Sequence, residues 1–456
     1  MQGETRWSAP PRFVMPHSSL LISLADALLA GDPAPESLFE RCTSILGKRW
    51  RWLRPLTARY LANFGPVLRP RHRDVITFLQ GDKPFQRALA KYSDELLGTV
   101  HLTPPQMRPA PGQQNWGLPV IETPGDLAAW LGLDIGELRW FADLKGLLFK
   151  KDRPPLDHYH YRIQTKRFGS VRLIEAPKPR LKDRQRQILL WILDKVPAHP
   201  AVHGFVKGRS IRTFVAPHIG QSVLLRIDLR DFFPTFGGVR IQNLFRTLGY
   251  PEAVGDLLGG ICTNATPVRA WNEVERKLGP VPSGELRRMY SRPHLPQGAP
   301  TSPTLSNISF YRVDCRLSGL AKSVGATYTR YADDLAFSGG GEFERCAERF
   351  ARHVAAILQE EGFRVHHRKT RIMRQGVRQH LAGLTTNTKM NIDRRNFDQL
   401  KAVLTNCARL GPEGQNRGNR PNFRAHLEGR VSFVEMVNPA KARRLRAILN
   451  QIQWES

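Results

Sequence analysis

The stretch TRYADDLAFSGG, residues 329–340, sets two adjacent aspartates between two apolar runs, each too short for a helix. Apolar residues on either side of a short polar break specify a β-hairpin, here with its carboxylates in the turn. A second apolar strand, SVLLRID, ends on Asp228 and runs into the acid-aromatic cluster Asp231, Phe232, Phe233 before Pro234. Like charges brought together at strand ends repel, and desolvated acids stay protonated unless a cation sits among them. Hard oxygen ligands such as Asp228, Asp333 and Asp334 suit Mg²⁺, which keeps several waters and takes its remaining ligands from substrate phosphates. Two such ions about 4 Å apart can lower the pKa of an attacking hydroxyl and stabilise a leaving pyrophosphate. Each piece taken singly has a plainer reading, with Asp-Asp as a turn device and Asp228 as a helix cap.

Charge decides which kind of partner to expect. The 69 Lys and Arg against 40 Asp and Glu leave +29 over 456 residues. A polyanion is therefore expected, with nucleic acid ahead of membrane. No run approaches the ~18 apolar residues of a membrane span, and the start MQGETRWSAPPRF lacks an apolar signal-peptide core. The expected compartment is the cytoplasm. Cys42, Cys262, Cys315, Cys346 and Cys407 are scattered without metal-ligand spacing and read as reduced thiols.

Length predicts more than one domain. Residues 1–102 read as a helical N-terminal domain with amphipathic stretches at 20–31 and 85–98. Inside it, KRWRWLRPLTARYL (48–61) interleaves Trp50, Trp52 and Tyr60 with five basic residues, which suits either RNA contact or a helical core. Residues 103–119, rich in Pro, Gly and Gln, form a linker. The region 120–384 opens with helix-start chemistry at Thr123-Pro124 and continues into a basic hairpin over 161–177. A charged helix from near Leu181 follows, and about 267–294 is expected to be an irregular polar insertion. Over 385–456 the pattern is helical again. Asp393 can cap and Gly411 stop a helix with Phe397, Leu400, Leu404 and Cys407 on one face, and Asn438-Pro439 opens a last helix with Leu445, Leu449 and Ile452 inward.

In this order, IDLRDFF (227–233), LPQGAPTSPTLSN (295–307) and YADD (331–334) resemble three motifs of the reverse transcriptases: the strand of the first metal-binding aspartate, the template grip and the catalytic hairpin. The resemblance runs from about residue 161 to the C-terminus. It is closest to bacterial retron-type and related defence-associated enzymes, which also show stretches like HGFVKGRSI (203–211) and LKDRQRQIL (181–189). It implies an α+β right-hand polymerase, with a fingers and palm core over 120–384 whose palm carries an antiparallel sheet, and a helical thumb over 385–456. The helical domain 1–102 is an addition to that plan.

The resemblance also implies roles. Asp228 and Asp333 would bridge two Mg²⁺ ions, with Asp334 a weaker ligand. Phe233 matches the aromatic that excludes a ribose 2′-hydroxyl, Arg172 the fingers arginine that pairs with the dNTP triphosphate, and Lys166 its helper. Gln297 and Gly298 would line the nucleotide pocket, and Lys369 would stand near the leaving phosphates. Lys441, Arg443, Arg444 and Arg446 on the last helix are candidate nucleic-acid contacts. The implied function is RNA-directed DNA synthesis on a structured noncoding RNA, in anti-phage defence, with an effector protein encoded nearby as a further partner of this class. The sequence departs from the retron pattern twice. Of the Asn-Ala-x-x-His motif only His218 stands in 214–218, and Val-Thr-Gly is replaced by Leu381-Ala382-Gly383. Both motifs are associated with retron handling of RNA, so a related defence enzyme is also admitted. A maturase-like RNA-binding protein and a nucleotide cyclase with a palm-like acidic site are the alternatives. The intact aspartate set speaks against the first, and LPQGAPTSP with the basic excess against the second.

Overall fold

Helix starts in this chain are written in short polar signals. The structure, a computed structural model, describes residues 17–65, 70–92, 96, 105–147, 157–165, 171–278 and 284–454. Among these the N-terminal region is built of the helices His17–Leu29, Pro35–Leu46, Leu53–Phe64, His72–Gly81 and Lys83–Lys91. Asp82 caps the last of them by accepting from the Phe85 amide at 2.8 Å, while Arg59 clamps the same carboxylate at 2.6 and 2.8 Å. Their shared core includes Leu24, Leu38, Leu53, Val75 and Phe85, and it takes in Trp50 and Tyr60 as well. The aromatics of residues 48–61 are thus core, not a stacking platform. Arg54 pairs with Glu36, and Arg59 is held by Asp82.

The chain divides into two compact units, Met1–Val196 with Gly237–Thr301, and Pro197–Phe236 with Ser302–Ser456. In the first, helix Pro124–Leu131 opens on a capping box between Thr123 and Asp126, as the Thr-Pro signal predicts. Strands β1 (Tyr159–Thr165) and β2 (Val171–Pro177) form an antiparallel hairpin with Gln164 opposite Arg172 and Tyr161 opposite Glu175. The charged helix spans Pro179–Trp191, starting two residues before the expected point because proline is pre-set for a first turn. The expected irregular insertion is instead helical at Val268–Leu278 and Gly284–Tyr290. Among the described side chains, Trp271 and Tyr290 are buried with Leu173 in a small cluster of their own.

The second unit is built on an antiparallel sheet of order β4-β5-β3-β6, with β3 at Val223–Asp228, β4 at Thr327–Tyr331, β5 at Asp334–Gly339 and β6 at Arg371–Arg374. Helix Glu342–Glu360 packs on it through Phe343, Ala347, Phe350, Val354 and Leu358, an i, i+3, i+4 stripe. Burying each of the larger side chains stabilises the unit by about 1.5–3 kcal/mol. Short strands β7 (His380–Leu381), β8 (Leu384–Thr385) and β9 (Asn391–Ile392) lead to helices Arg394–Leu410, Phe423–Val437 and Pro439–Leu449. Asp393 and Asn438 cap the first and third of these as expected, and Leu400, Leu404, Cys407, Leu445, Leu449 and Ile452 share one core. Among the described residues no helix is long and apolar enough to cross a membrane.

Candidate active site

The acidic hairpin turns more tightly than its sequence suggests. Tyr331 pairs with Asp334, so Ala332 and Asp333 alone make the turn and Asp334 already belongs to β5. Ala332 takes φ +54°, the left-handed conformation that a two-residue hairpin requires of its first turn residue. On the other side of β5, β3 sets Asp228 directly opposite Asp334. The Leu229 amide donates to the Asp333 carbonyl at 3.0 Å and the His366 amide to the Asp228 carbonyl at 2.7 Å. Three carboxylates therefore meet at one end of the sheet, with Asp228 buried.

Their electrostatics follow from that crowding. Burial, then the charges of Asp334 and Asp228, push the Asp333 carboxyl up to about 6. Asp334 is also raised by burial, against the pull of Arg226. Arg226 donates to Asp334 Oδ1 from Nε at 3.0 Å and Nη2 at 2.8 Å. Lys369 Nζ donates to the two Asp228 oxygens at 3.0 and 3.1 Å. Arg226 was not singled out from the sequence, yet it stands two residues before Asp228 in VLLRID, and period-2 spacing puts both on one face.

Phe233 lies in the short helix Phe232–Thr235 and is half-buried. Its ring is 6.2 Å from that of Phe205, which in turn is 6.3 Å from Tyr331. Phe205, exposed at φ +60°, is a neighbour that sequence reasoning missed. In the first unit, the Glu175 amide donates to the Gln297 carbonyl at 2.9 Å. Gly298 follows at φ +137°, and a Cβ there would fall 2.8 Å from the Glu175 carbonyl oxygen, so only glycine fits. Arg172 is half-buried three residues upstream on β2, while Lys166 lies outside the described residues. Beneath this segment the Glu175 carboxylate accepts from Asn264 at 2.8 Å, Thr266 at 2.7 Å and His294 Nε2 at 2.8 Å. Burial disfavours the His294 charge, but Glu175 and the Arg292 carbonyl outweigh it and raise its pKa.

The profile of the reverse transcriptase (RNA-dependent DNA polymerase) family matches residues 163–390. The retron Mx65 reverse transcriptase of Myxococcus xanthus is 38% identical over 397 residues, 87% of this chain and 80% of its own. This chain is a reverse transcriptase of the retron type. The retron Mx162 reverse transcriptase of the same organism is 37% identical, covering 74% of this chain and 68% of its own length. The retron Ec86 reverse transcriptase of Escherichia coli is 28% identical, covering 75% and 92%. The α+β architecture is accordingly that of a polymerase, and the enzyme is an RNA-directed DNA polymerase.

Two sets of residues that bear on RNA take definite places in this reverse transcriptase. His218 is fully buried, bridging the Thr329 hydroxyl of β4 and the Ser338 hydroxyl of β5 at 2.6 Å each. Burial pushes its pKa down to about 3, so it is a neutral strut behind the hairpin and presents nothing to RNA. On the last helix, Lys441 Nζ lies 4.8 Å from the Phe397 ring centroid and Arg446 pairs with Glu435, whereas Arg443 and Arg444 are exposed.

Among the described residues no three or more His, Cys, Asp and Glu side chains are grouped to hold a metal ion. Two of the three carboxylates already have basic partners, Arg226 on Asp334 and Lys369 on Asp228. Asp228 and Asp333 still fit Mg²⁺. They are hard oxygen donors, Mg²⁺ needs only one or two protein carboxylates beside water and phosphate, and the raised Asp333 marks a place where a cation would relieve charge repulsion.

Proposed function

We propose that the enzyme copies a structured noncoding RNA of its own into DNA by two-metal nucleotidyl transfer, and that it does so in the cytoplasm as part of phage defence with an effector protein encoded nearby. The observation that carries the catalytic part is the strand pairing that sets Asp228 opposite Asp334, with Asp333 in the turn beside them. Asp228 and Asp333 hold two Mg²⁺ ions, with Asp334 contributing less because Arg226 shares its charge. Mg²⁺ bound there would lower the pKa of the primer hydroxyl and stabilise the leaving pyrophosphate. Lys369, half-exposed, is free to turn from Asp228 toward the leaving phosphates. The Phe233 ring excludes a 2′-hydroxyl, Arg172 and Lys166 pair with the dNTP triphosphate, and Gln297 and Gly298 line the nucleotide pocket. On the last helix Arg443 and Arg444 contact nucleic acid, with Lys441 and Arg446 holding the helix in place as well as adding charge.

The partner reading rests on the +29 charge, the retron character of the relatives and the resemblance to defence-associated enzymes. A large RNA held before and during synthesis accounts for basic residues far outside the catalytic motifs, and its shape and single-stranded features would set specificity. The test is to purify the enzyme from its native cell and sequence the nucleic acid it carries. One dominant RNA, released by high salt and extended into DNA on addition of dNTPs and Mg²⁺, is the expected result. Heterogeneous RNA with no extension product contradicts it.

A further inference from the structure

Among the described residues the largest fully buried side chain is a charged one, Arg330, two positions before the acidic turn. Its guanidinium is held by Asp314, also fully buried, through Nε to Oδ1 and Nη2 to Oδ2, both at 2.8 Å. The Tyr328 hydroxyl donates to the same Asp314 Oδ1 at 2.8 Å, and the guanidinium lies 4.6 Å from the Phe310 ring centroid. The remaining nitrogen, Nη1, donates to Asn307 Oδ1 at 3.1 Å and to the carbonyl of Ala332 at 3.2 Å. Asn307 in turn donates to the Gly204 carbonyl at 2.9 Å. Gly204 is pressed so close to the turn that a Cβ would fall 2.6 Å from the Ala332 amide nitrogen.

We propose that Arg330 is a positioning residue for DNA synthesis: its bond to the Ala332 carbonyl, anchored by Asp314 and Asn307, holds the strained turn that presents Asp333. Ala332 sits in a left-handed conformation that costs a non-glycine residue energy, so the turn persists only while its surroundings over-determine it. A guanidinium supplies this better than an ammonium, because its planar fork reaches Asp314 on one edge and the turn carbonyl on the other. Asn307 closes the motif LPQGAPTSPTLSN, so the same contact ties the last residue of that motif to the hairpin. The inference rests on the reading of Asp333 as a metal-holding carboxylate.

A purely structural role predicts something different, namely that the pair only ties helix Tyr311–Lys322 to the sheet. Replacing both partners by apolar residues, Arg330→Met with Asp314→Leu, keeps a filled core but removes the donor to Ala332. In the full-length enzyme, melting temperature, RNA affinity, KM for dNTP, kcat and Mn²⁺ binding without dNTP would be measured for this variant. We expect a lowered melting temperature, because the buried Tyr328 hydroxyl and Asn307 oxygen lose a partner, with the fold and RNA affinity kept, little change in KM, weaker Mn²⁺ binding, and a fall in kcat on the order of 100-fold. Wild-type kcat in the folded double variant overturns the proposal. Should that variant fail to fold, Arg330→Lys keeps the buried charge without the fork, and wild-type kcat there is equally decisive against it. Asp333→Asn, assayed in parallel, separates the two claims. Its retaining synthesis would overturn the reading of the site, while its losing synthesis beside a fully active Arg330 variant would overturn the role of Arg330 alone.

Discussion

The surroundings of Asp333 oppose its charge. A carboxyl with a folded pKa above its unfolded value holds its proton more tightly in the native state, so ionisation works against folding as pH rises from about 4 through about 6. Without metal, Asp333→Asn should therefore stabilise the enzyme by about 1–2 kcal/mol at pH 8, and the gain should vanish below about pH 4. Denaturant melts of the two proteins at both pH values check this, and a destabilised variant at pH 8 would show that the site is not short of cations. Phe233 makes a second prediction at this scale. Removing its ring in Phe233→Val should admit ribonucleotides with the aspartates untouched, raising the ratio of rNTP to dNTP incorporation by about tenfold or more, as expected for a steric contact of 1–3 kcal/mol. An unchanged ratio would assign the gate to another residue, with exposed Phe205, whose ring lies 6.2 Å from that of Phe233, the first to test. Asp228, Asp333, Asp334 and Phe233 stand out in the sequence because they lie at or just beyond strand ends within long motifs. Arg226 was legible in principle from strand period, whereas the Glu175–His294 pair joins residues 119 positions apart and leaves no local trace.

At the scale of elements, sequence reasoning found those whose signals are local. The capping box at Thr123, the Asp393 and Asn438 caps and the apolar strand of β3 all appear where their side chains dictate. It failed in helix Val268–Leu278, whose polar composition conceals the buried Trp271. It left residues 48–61 undecided because Trp at helical spacing suits both a core and a stacking surface, and only packing against Tyr92 and Phe85 decides. The β1–β2 hairpin carries a prediction of its own. His294 has a raised pKa, so its ion pair with Glu175 stabilises the hairpin fully below the ordinary histidine value and is lost as pH climbs past the raised one. Glu175→Gln should cost about 3 kcal/mol near pH 6, and the melting-temperature gap to wild type should narrow toward pH 9. A gap that stays constant across that range would mean the pair is not ionised.

The whole molecule combines a small acidic centre with a strongly basic remainder. Asp228, Asp333 and Asp334 gather in one turn and one strand end, while the excess of 29 positive charges is spread over both units. Chemistry and nucleic-acid grip should therefore be separable, because one metal ligand can be removed without changing the many phosphate contacts. The most direct measurement is steady-state DNA synthesis on a primed RNA template by Asp333→Asn, made beside its affinity for the same RNA at fixed salt. The account predicts that synthesis falls on the order of 1,000-fold, the effect of losing several kcal/mol of metal-derived stabilisation, while RNA affinity stays within about twofold of wild type. Synthesis above about a tenth of wild type, with the variant folded and bound to RNA, would contradict it.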